Sequence, residues 1–251
     1  MAPIIEVQNL NVWFGKSRIL KNLSFDIEPK QVTAFIGPSN CGKTTVIRSL
    51  NRLNDLQADY RHTGEILFNG KELYSNKNRA SEIARKISMV FEKPILFKKS
   101  IYENVAYSVR IRGRRQMSLI NNIVDECLMK VQLWNDVKDK LHTDPNFLSI
   151  GQQQQLCIAR ALAADPEILI FDEPCAQLDA TETPKFESIL QSLKQQVTII
   201  FVTNKRRQAA RVSDVAGFLY NGELVEIGKT EQIFTTPTDT RTENYVTGRL
   251  G

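Results

Sequence analysis

The most informative stretch of the chain is Gly37-Pro38-Ser39-Asn40-Cys41-Gly42-Lys43-Thr44, which fits the pattern G-x-x-x-x-G-K-[ST]. An apolar segment, residues 31–36, precedes this stretch, and a helical pattern, residues 43–53, follows it. The two glycines let the backbone curl until several N–H groups point at one anion, and the helix adds its positive end. We expect Lys43 to contact the β- and γ-phosphates of a nucleotide, and the Thr44 hydroxyl to ligate Mg²⁺. The candidate nucleotide-binding residues of this loop are Gly37, Pro38, Ser39, Asn40, Cys41, Gly42, Lys43, Thr44 and Thr45.

A second motif, residues 168–173 (ILIFDE), is an apolar segment that ends in two carboxylates, Asp172 and Glu173. Carboxylates at the C-terminal end of a parallel strand lie where α/β sheets bind their ligands. Asp172 is expected to hold the Mg²⁺ that bridges two phosphates, and Glu173 to orient and deprotonate the attacking water. The alternative is a pair of solvated acids at the start of a loop, which the phosphate loop upstream disfavours.

Short segments with strand character recur along the chain, and they are residues 4–14, 18–28, 31–36, 64–74, 87–91, 167–171, 197–202 and 217–226. Two of these segments contain an Asn-Gly turn, at Asn69-Gly70 and Asn221-Gly222, and are predicted to be hairpins. Residues 100–164 have helical spacing of apolar residues instead, and residues 184–196 form another helical pattern.

Strands that alternate with helices predict an α/β fold with a parallel sheet covered on both faces. Together with the phosphate loop this indicates a P-loop NTPase core, joined by an antiparallel β subdomain and an inserted α-helical subdomain. We expect one domain, residues 1–251. Within it, residues 1–92 and 165–251 form the core and the β subdomain, and about 93–164 form the helical subdomain.

Composition narrows the classes of function. The 251 residues carry 33 basic and 28 acidic side chains, a net charge of +5, which is too small to indicate a nucleic-acid partner. The four cysteines form no CxxC pair and there are two histidines, so neither a disulfide framework nor a zinc site is expected. The sequence shows no secretory signal and no apolar run of about 18 residues, so we expect a cytoplasmic chain whose membrane partners supply any channel.

The stretch between the two motifs, residues 148–162 (LSIGQQQQLCIARAL), resembles the signature sequence of ABC-transporter ATPases. The common form of that signature is LSGGQ followed by a helix that ends in ARAL. Phosphate loop, signature and acidic strand also stand in that family's order, over essentially the whole chain. Further stretches resemble the phosphate-import ATP-binding subunits of the family: SLNRLNDL (49–56), SIYENVAY (100–107), QQQQLCIARALA (152–163), RQAARVSD (207–214) and TENYVTGRLG (242–251).

This resemblance implies an ATPase that uses ATP and Mg²⁺ and lies peripherally on the cytoplasmic face of the cell membrane. It implies a homodimer docked on two transmembrane permease subunits, powering the import of inorganic phosphate delivered by an external binding protein. The resemblance also implies that residues 93–107 contact the membrane subunits. Ile95, Leu96, Phe97 and Tyr102 are expected to line an apolar groove there, and subdomain core is the equally open alternative for these four residues. Phosphate specificity follows from the resemblance alone, because the solute does not touch this subunit in such systems.

The resemblance assigns further residues. Two nucleotides bind head to tail between two subunits, so that Ser149 and Gly151, together with Gln152, contact the γ-phosphate held at Lys43 of the second subunit. Phe14 matches the aromatic residue that stacks on adenine, although a core aromatic is an equally open interpretation.

Several positions depart from the family's pattern. Glu92 stands where the family has Gln, Ile150 replaces the first Gly of the signature, and Asn204 replaces the His that follows the last core strand. Asn40 stands for Gly in the phosphate loop, and Gln155 stands for an Arg. A glutamate at position 92 can still ligate Mg²⁺ but repels phosphate, and an asparagine can donate a hydrogen bond but cannot titrate.

Two interpretations follow from these departures. In the first, the chain is a working transporter ATPase with Glu173, Lys43 and Asn204 as catalytic residues, and Thr44, Glu92 and Asp172 as metal ligands. In the second, it is a degenerate subunit that binds ATP, hydrolyses it poorly and acts as a regulatory or heterodimer partner. The intact carboxylates favour the first interpretation.

Overall fold

The computed structural model describes residues 2–75 and 79–250. In chain order its strands are β1 (Ile5–Phe14), β2 (Ser17–Ile27), β3 (Val32–Ile36), β4 (Tyr60–Phe68), β5 (Lys71–Glu72), β6 (Ile87–Val90), β7 (Ile168–Asp172), β8 (Thr198–Thr203), β9 (Val215–Tyr220) and β10 (Glu223–Lys229). The α-helices are α1 (Lys43–Leu50), α2 (Ala80–Lys86), α3 (Ile101–Ile111), α4 (Met117–Lys130), α5 (Trp134–Val137), α6 (Ile150–Leu162), α7 (Glu182–Leu193), α8 (Arg206–Val212), α9 (Thr230–Thr235) and α10 (Thr240–Thr247).

The larger sheet has six strands in the order β10-β9-β3-β8-β7-β6. Its strands pair in parallel except for β10, which pairs with β9 in an antiparallel hairpin. The register aligns Ile36 at the end of β3 with Thr203 at the end of β8, and Asp172 at the end of β7 with Val202. The strand ends that carry the predicted motifs therefore meet at one edge of the sheet.

The smaller sheet is antiparallel, with the strand order β2-β1-β4-β5. Its β4–β5 hairpin turns at Asn69 and Gly70, which have φ of 51° and 69°, and the β9–β10 hairpin turns at Asn221 and Gly222 with 49° and 81°. These positive φ angles are the reason that Asn-Gly favours tight hairpin turns. Both hairpins predicted from the sequence are confirmed.

The central sheet separates two hydrophobic cores, because alternate residues of a strand face opposite sides. In β7, Leu169 and Phe171 pack into the core shared with α3, α4, α6 and α7. Ile168 and Ile170 pack into the core shared with α1 and the antiparallel sheet. All four side chains are fully buried, which explains why β7 reads as a continuous apolar run.

The predicted fold class is confirmed, with a P-loop NTPase core, an antiparallel β part and a helical insertion. Residues 100–164 contain helices and no strand, as their spacing predicts. Helices α2, α8, α9 and α10 have no counterpart in the sequence prediction. The exact boundaries of the helical subdomain, residues 93–164, stay a prediction.

We predict that Phe201→Ala, at the centre of β8, destabilises the chain by about 3–5 kcal/mol, because it leaves a cavity between strand and helices. Phe201 is 0% exposed, whereas Phe147 is 88% exposed and serves as the matched control. Phe147→Ala is expected to change the free energy of unfolding by no more than about 0.5 kcal/mol. Urea unfolding monitored by circular dichroism measures both variants, and equal effects would contradict the assignment of β8 to the core.

Candidate functional site

The phosphate loop closes tightly around the end of β3. Gly37 has a φ of 154° and Gly42 a φ of 108°, both in a region that other residues rarely adopt. A Cβ atom on Gly37 would collide with the carbonyl oxygen of Leu219, and one on Gly42 would lie 2.7 Å from Cδ2 of Leu20. Glycine is therefore needed at both positions, for backbone conformation and for space.

The ammonium group of Lys43 lies inside this loop. Its Nζ donates hydrogen bonds to the carbonyl oxygens of Gly37 and Pro38, both at 2.8 Å, and lies 3.9 Å from Oε1 of Glu173. The side chain is 6% exposed. Cys41 lies beneath it, with Sγ 4.0 Å from Nζ, and burial raises the pKa of this thiol although the lysine charge opposes the shift. The loop thus holds one desolvated positive charge at the edge of the sheet where β3 ends.

A hydrogen bond joins the two sequence motifs. The Thr44 hydroxyl donates to Oδ1 of Asp172 at 2.8 Å, and Nη2 of Arg48 lies 3.6 Å from Oδ2 of the same carboxylate. Burial raises the pKa of Asp172, and the hydrogen bond from Thr44 and the charge of Arg48 counteract it. Arg48 is not among the site residues predicted from the sequence, although it lies four residues after Thr44 and hence on the same face of α1.

Glu173 has an unusual backbone conformation, with a φ of 45°. Its Oε2 accepts a hydrogen bond of 3.1 Å from the backbone N–H of Asn204. Burial raises the pKa of Glu173, and the Asn204 N–H and the Lys43 charge counteract it. A carboxylate with a raised pKa is a stronger proton acceptor than an ordinary surface glutamate.

Lys43, Thr44 and Glu173 line one cavity with a volume of ≈ 550 Å³, and Asp172 lies behind this lining, hydrogen-bonded to Thr44. The lining residues are Phe14, Ile19, Ser39, Asn40, Gly42, Lys43, Thr44, Thr45, Glu92, Glu173, Ala176 and Asn204. All of them except Ile19 and Ala176 belong to the candidates predicted from the sequence. The two missed residues have small or aliphatic side chains whose type gives no chemical signal.

The signature residues lie elsewhere. Ser149, Gly151 and Gln152 line a separate cavity of ≈ 170 Å³, together with Leu178 and Glu182. The structure does not bring these three predicted residues to the phosphate loop within one chain. Their contact with a nucleotide held by a second subunit stays a prediction.

Phe14 is half-buried at the end of β1, and its ring centroid lies 5.9 Å from that of Tyr60. The side chain packs against the core of the antiparallel sheet and also lines the cavity. The two interpretations of this aromatic residue are therefore compatible, and stacking on adenine stays a prediction.

The oxygen donors at the cavity suit a hard divalent cation. Thr44 and Asp172 are already in contact, and Glu92 lines the same cavity. Over residues 2–75 and 79–250, no group of three or more His, Cys, Asp or Glu side chains is arranged to hold a metal ion unaided. This pattern fits Mg²⁺, which is usually held by one or two carboxylates together with waters and phosphate oxygens.

An apolar groove, defined by Phe91, Ile95, Phe97, Tyr107 and Ile111, lies beside β6 and has a volume of ≈ 240 Å³. Nη2 of Arg160 donates to the carbonyl oxygen of Ile95 at 2.6 Å, and its guanidinium stacks on Phe97 at 4.3 Å.

Two of the four residues expected to line this groove do so, namely Ile95 and Phe97. Leu96 and Tyr102 do not line the groove, and for them the alternative, subdomain core, is the correct one. Leu96 packs against the helical core, and Tyr102 is buried there with its hydroxyl donating to Asn121 at 2.6 Å.

The fold, the glycine-bounded loop and the paired carboxylates define a P-loop nucleotide-binding ATPase. The family model described as "ABC transporter" matches residues 20–176, more than half of the chain. The chain therefore belongs to the ABC transporter family, as an ATPase subunit of the kind that binds and hydrolyses ATP.

Solved structures agree with this family. cbiO1 from Clostridium perfringens, part of the ABC transporter complex cbiONQ, is similar with a TM-score of 0.83 and 25% sequence identity, over 99% of this chain and 97% of that chain. A bacterial Atm1-family ABC exporter with ATP bound shares the fold, with a TM-score of 0.81 and 23% identity, over 99% of this chain and 42% of that chain. Within the described residues, every helix is too short or too polar to cross a bilayer.

We predict that the carboxyl group of Glu173 titrates above the ordinary value of 4.5, because the pKa of this buried carboxyl is raised. The native state then holds this proton up to a higher pH than the unfolded chain does. The group therefore lowers the free energy of unfolding as the pH rises from its unfolded pKa to its raised folded pKa. Carbon-13 NMR of labelled glutamates measures the titration, and the signal missing from Glu173→Gln gives the assignment.

Glu226 is the internal control for this titration. Burial raises the pKa of Glu226, but hydrogen bonds from Thr238, Thr242 and Asp239 lower it by a larger amount. The carboxyl group of Glu226 therefore titrates below 4.5. A Glu173 midpoint at or below that of Glu226 would contradict the raised pKa.

Proposed function

We propose that this chain is the ATP-binding and ATP-hydrolysing subunit that powers an ABC importer, and that it works as a homodimer on the cytoplasmic face of the cell membrane. The observation that supports this most is the cavity lined by Lys43, Thr44 and Glu173, with Asp172 hydrogen-bonded to Thr44. A triphosphate needs one fixed positive charge, oxygen ligands for its cation and a base for water.

Nucleotide binding is proposed to begin at the loop. Lys43 exchanges its hydrogen bonds with two backbone carbonyls for phosphate oxygens, which turns a desolvated ammonium into a phosphate ligand. Thr44 and Asp172, together with Glu92, would hold Mg²⁺, and the cation would neutralise charge that develops on the phosphates. Phe14 lines the cavity and is proposed to stack on the base.

Hydrolysis is assigned to Glu173 as the group that accepts the proton of the attacking water. The backbone N–H of Asn204 orients one carboxylate oxygen, and Lys43 lies 3.9 Å from the other. One carboxylate oxygen is therefore held by a backbone N–H, while the other lies near the ammonium group that is proposed to bind the phosphate. The Asn204 side chain is exposed at the cavity and can donate one hydrogen bond to the γ-phosphate, but it cannot take up a proton.

The signature residues are proposed to act across the dimer. Ser149 and Gly151 present a hydroxyl and a backbone N–H at the N-terminal end of α6, where the helix dipole favours an anion. Because they lie outside the phosphate-loop cavity of their own chain, they would complete the site of a second copy.

The groove beside β6 is the proposed contact with two transmembrane permease subunits. Ile95 is 51% exposed and Ile111 is 55% exposed, so an apolar helix from a permease would bury them. Inorganic phosphate is the proposed solute, supported by the resemblance of the stretches in the sequence alone. An external binding protein would act through the permease, and no nucleic acid is involved.

The degenerate interpretation stays the alternative. It is supported by Ile150, which is 46% exposed and puts a β-branched side chain on the surface that is proposed to face the second nucleotide. Asn204 also supports it, because an asparagine cannot carry a proton where the family has a histidine. Glu92 supports it by placing an extra negative charge at the cavity.

We predict that Glu173→Gln stops ATP turnover but leaves ATP bound, because the amide keeps the size of the side chain and loses its basicity. Lys43→Ala is expected to weaken ATP binding itself, by removing the charge at the phosphates. Steady-state phosphate release and equilibrium nucleotide binding, with and without membrane partners, separate the two effects. Unchanged ATP affinity in Lys43→Ala would contradict the proposed site.

The same assays decide between the two interpretations. If the unaltered chain has no turnover with its partners, and Glu92→Gln, Ile150→Gly and Asn204→His together create it, the degenerate subunit is the correct description. A single lost donor to a developing charge typically costs about 100- to 1,000-fold in rate, so the difference is easily measured.

We predict that a cysteine in the groove, Ile95→Cys, forms a cross-link to a permease subunit in membranes. Met129→Cys is the matched control, because Met129 is 52% exposed and lies outside the groove. The four native cysteines are buried and should react little. Equal cross-linking of both variants, or of neither, would contradict the proposed docking surface.

A further inference from the structure

The carboxylate of Glu182 contacts two hydrogen-bond donors of the signature sequence, the Ser149 hydroxyl and the Gly151 N–H, which are called the signature donors below. Oε1 of Glu182, the first residue of α7, accepts a hydrogen bond of 3.0 Å from the Ser149 hydroxyl and one of 3.2 Å from the backbone N–H of Gly151. Under the proposed function, these two donors are the groups that receive the γ-phosphate bound by a second copy of the chain. One acidic oxygen therefore takes both hydrogen bonds that the phosphate needs.

The position of this carboxylate leaves no room for a second anion. It lies so close to Gly151 that a Cβ atom built there would collide with both Oε1 and Cδ of Glu182. The backbone of Glu182 is itself held in place, because its N–H donates to Oδ1 of Asp179 at 2.8 Å. The side chain must rotate away before a phosphate oxygen can approach Ser149.

The contact is not needed to cap α6. Ser149 and Gln152 already form a complete capping box, in which the Ser149 hydroxyl accepts from the Gln152 N–H at 3.2 Å and the Gln152 side chain accepts from the Ser149 N–H at 3.1 Å. The carboxylate of Glu182 accepts the Gly151 N–H but takes no part in this capping box. Its removal should therefore leave the helix folded.

We propose that Glu182 is an autoinhibitory residue, which occupies the signature donors and raises the ATP concentration at which two copies close on their nucleotides. The proposal rests on the proposed function, since it needs a head-to-tail dimer. The charge of Glu182 opposes phosphate binding as its bulk does, because the carboxylate repels an incoming phosphate. Lys185 lies one turn further along α7 and lines the same cavity. Its Nζ lies 3.8 Å from Oδ2 of Asp136, so a displaced Glu182 carboxylate would share this ammonium group with Asp136.

The test compares dimer formation with and without this carboxylate. All chains carry Glu173→Gln to prevent turnover, and sedimentation velocity measures the dimer fraction as MgATP is raised. Glu182→Ala is expected to lower the MgATP concentration at half-dimerisation by about tenfold, because phosphate no longer displaces two charge-assisted hydrogen bonds. Glu187→Ala, which removes a different carboxylate from α7, is the matched control and is expected to leave this concentration unchanged.

A second readout separates this effect from nucleotide binding itself. At chain concentrations below dimerisation, MgATP affinity should be equal with and without Glu182, because this residue lies outside the phosphate-loop cavity. Thermal unfolding of Glu182→Ala within a few degrees of Glu187→Ala establishes that both are folded.

The outcomes distinguish the inference from the function on which it rests. If MgATP dimerises the parent and Glu182→Ala at the same concentration, or dimerises the variant less readily, the inference is wrong and the proposed function stands. If neither chain binds MgATP, the proposed function is wrong and the inference falls with it.

Discussion

The site depends on one hydrogen bond, from the Thr44 hydroxyl to the Asp172 carboxylate. The two residues are 128 positions apart, and the helical insertion lies between them. Their contact is possible because β3 and β7 both pair with β8 in parallel, so that the three strands end at the same edge. A register slip of one residue would turn every side chain to the opposite face and separate the loop from the carboxylates.

The parts of the fold that the sequence predicts are those where local chemistry and packing agree. Strands buried on both faces give continuous apolar runs such as 168–171, and hairpins need a positive φ that Asn-Gly supplies at Asn69-Gly70. The phosphate loop was equally predictable, because Gly37 and Gly42 meet a conformational requirement that few other residues satisfy. In each case the reason for the residue type lies within a few positions of it.

Other features depend on neighbours distant in the chain, and the sequence offers no pattern for them. Helix α8 has seven residues, and such short helices form because tertiary packing stabilises them, as the buried Ala209 and Val212 do here. The groove shows the same limit. Ile95 and Tyr102 are both large apolar residues in the same stretch of sequence, yet Ile95 is exposed and Tyr102 is buried in the helical core. The contact of Glu182 with Ser149 likewise spans 33 positions, and it involves residue types that occur on any surface.

The backbone of Glu173 has a consequence for how such chains diverge. A φ of 45° is uncommon for a glutamate and is adopted more readily by asparagine or glycine. Conformations of this kind cost of order 1–3 kcal/mol, which the surrounding structure must offset. Mutational drift that replaces the glutamate by a residue at ease in this conformation would thus gain stability while losing the carboxylate. A lineage keeps this glutamate only while selection for turnover outweighs that gain in stability. Relaxed selection would produce inactive chains with a higher free energy of unfolding than their ancestor.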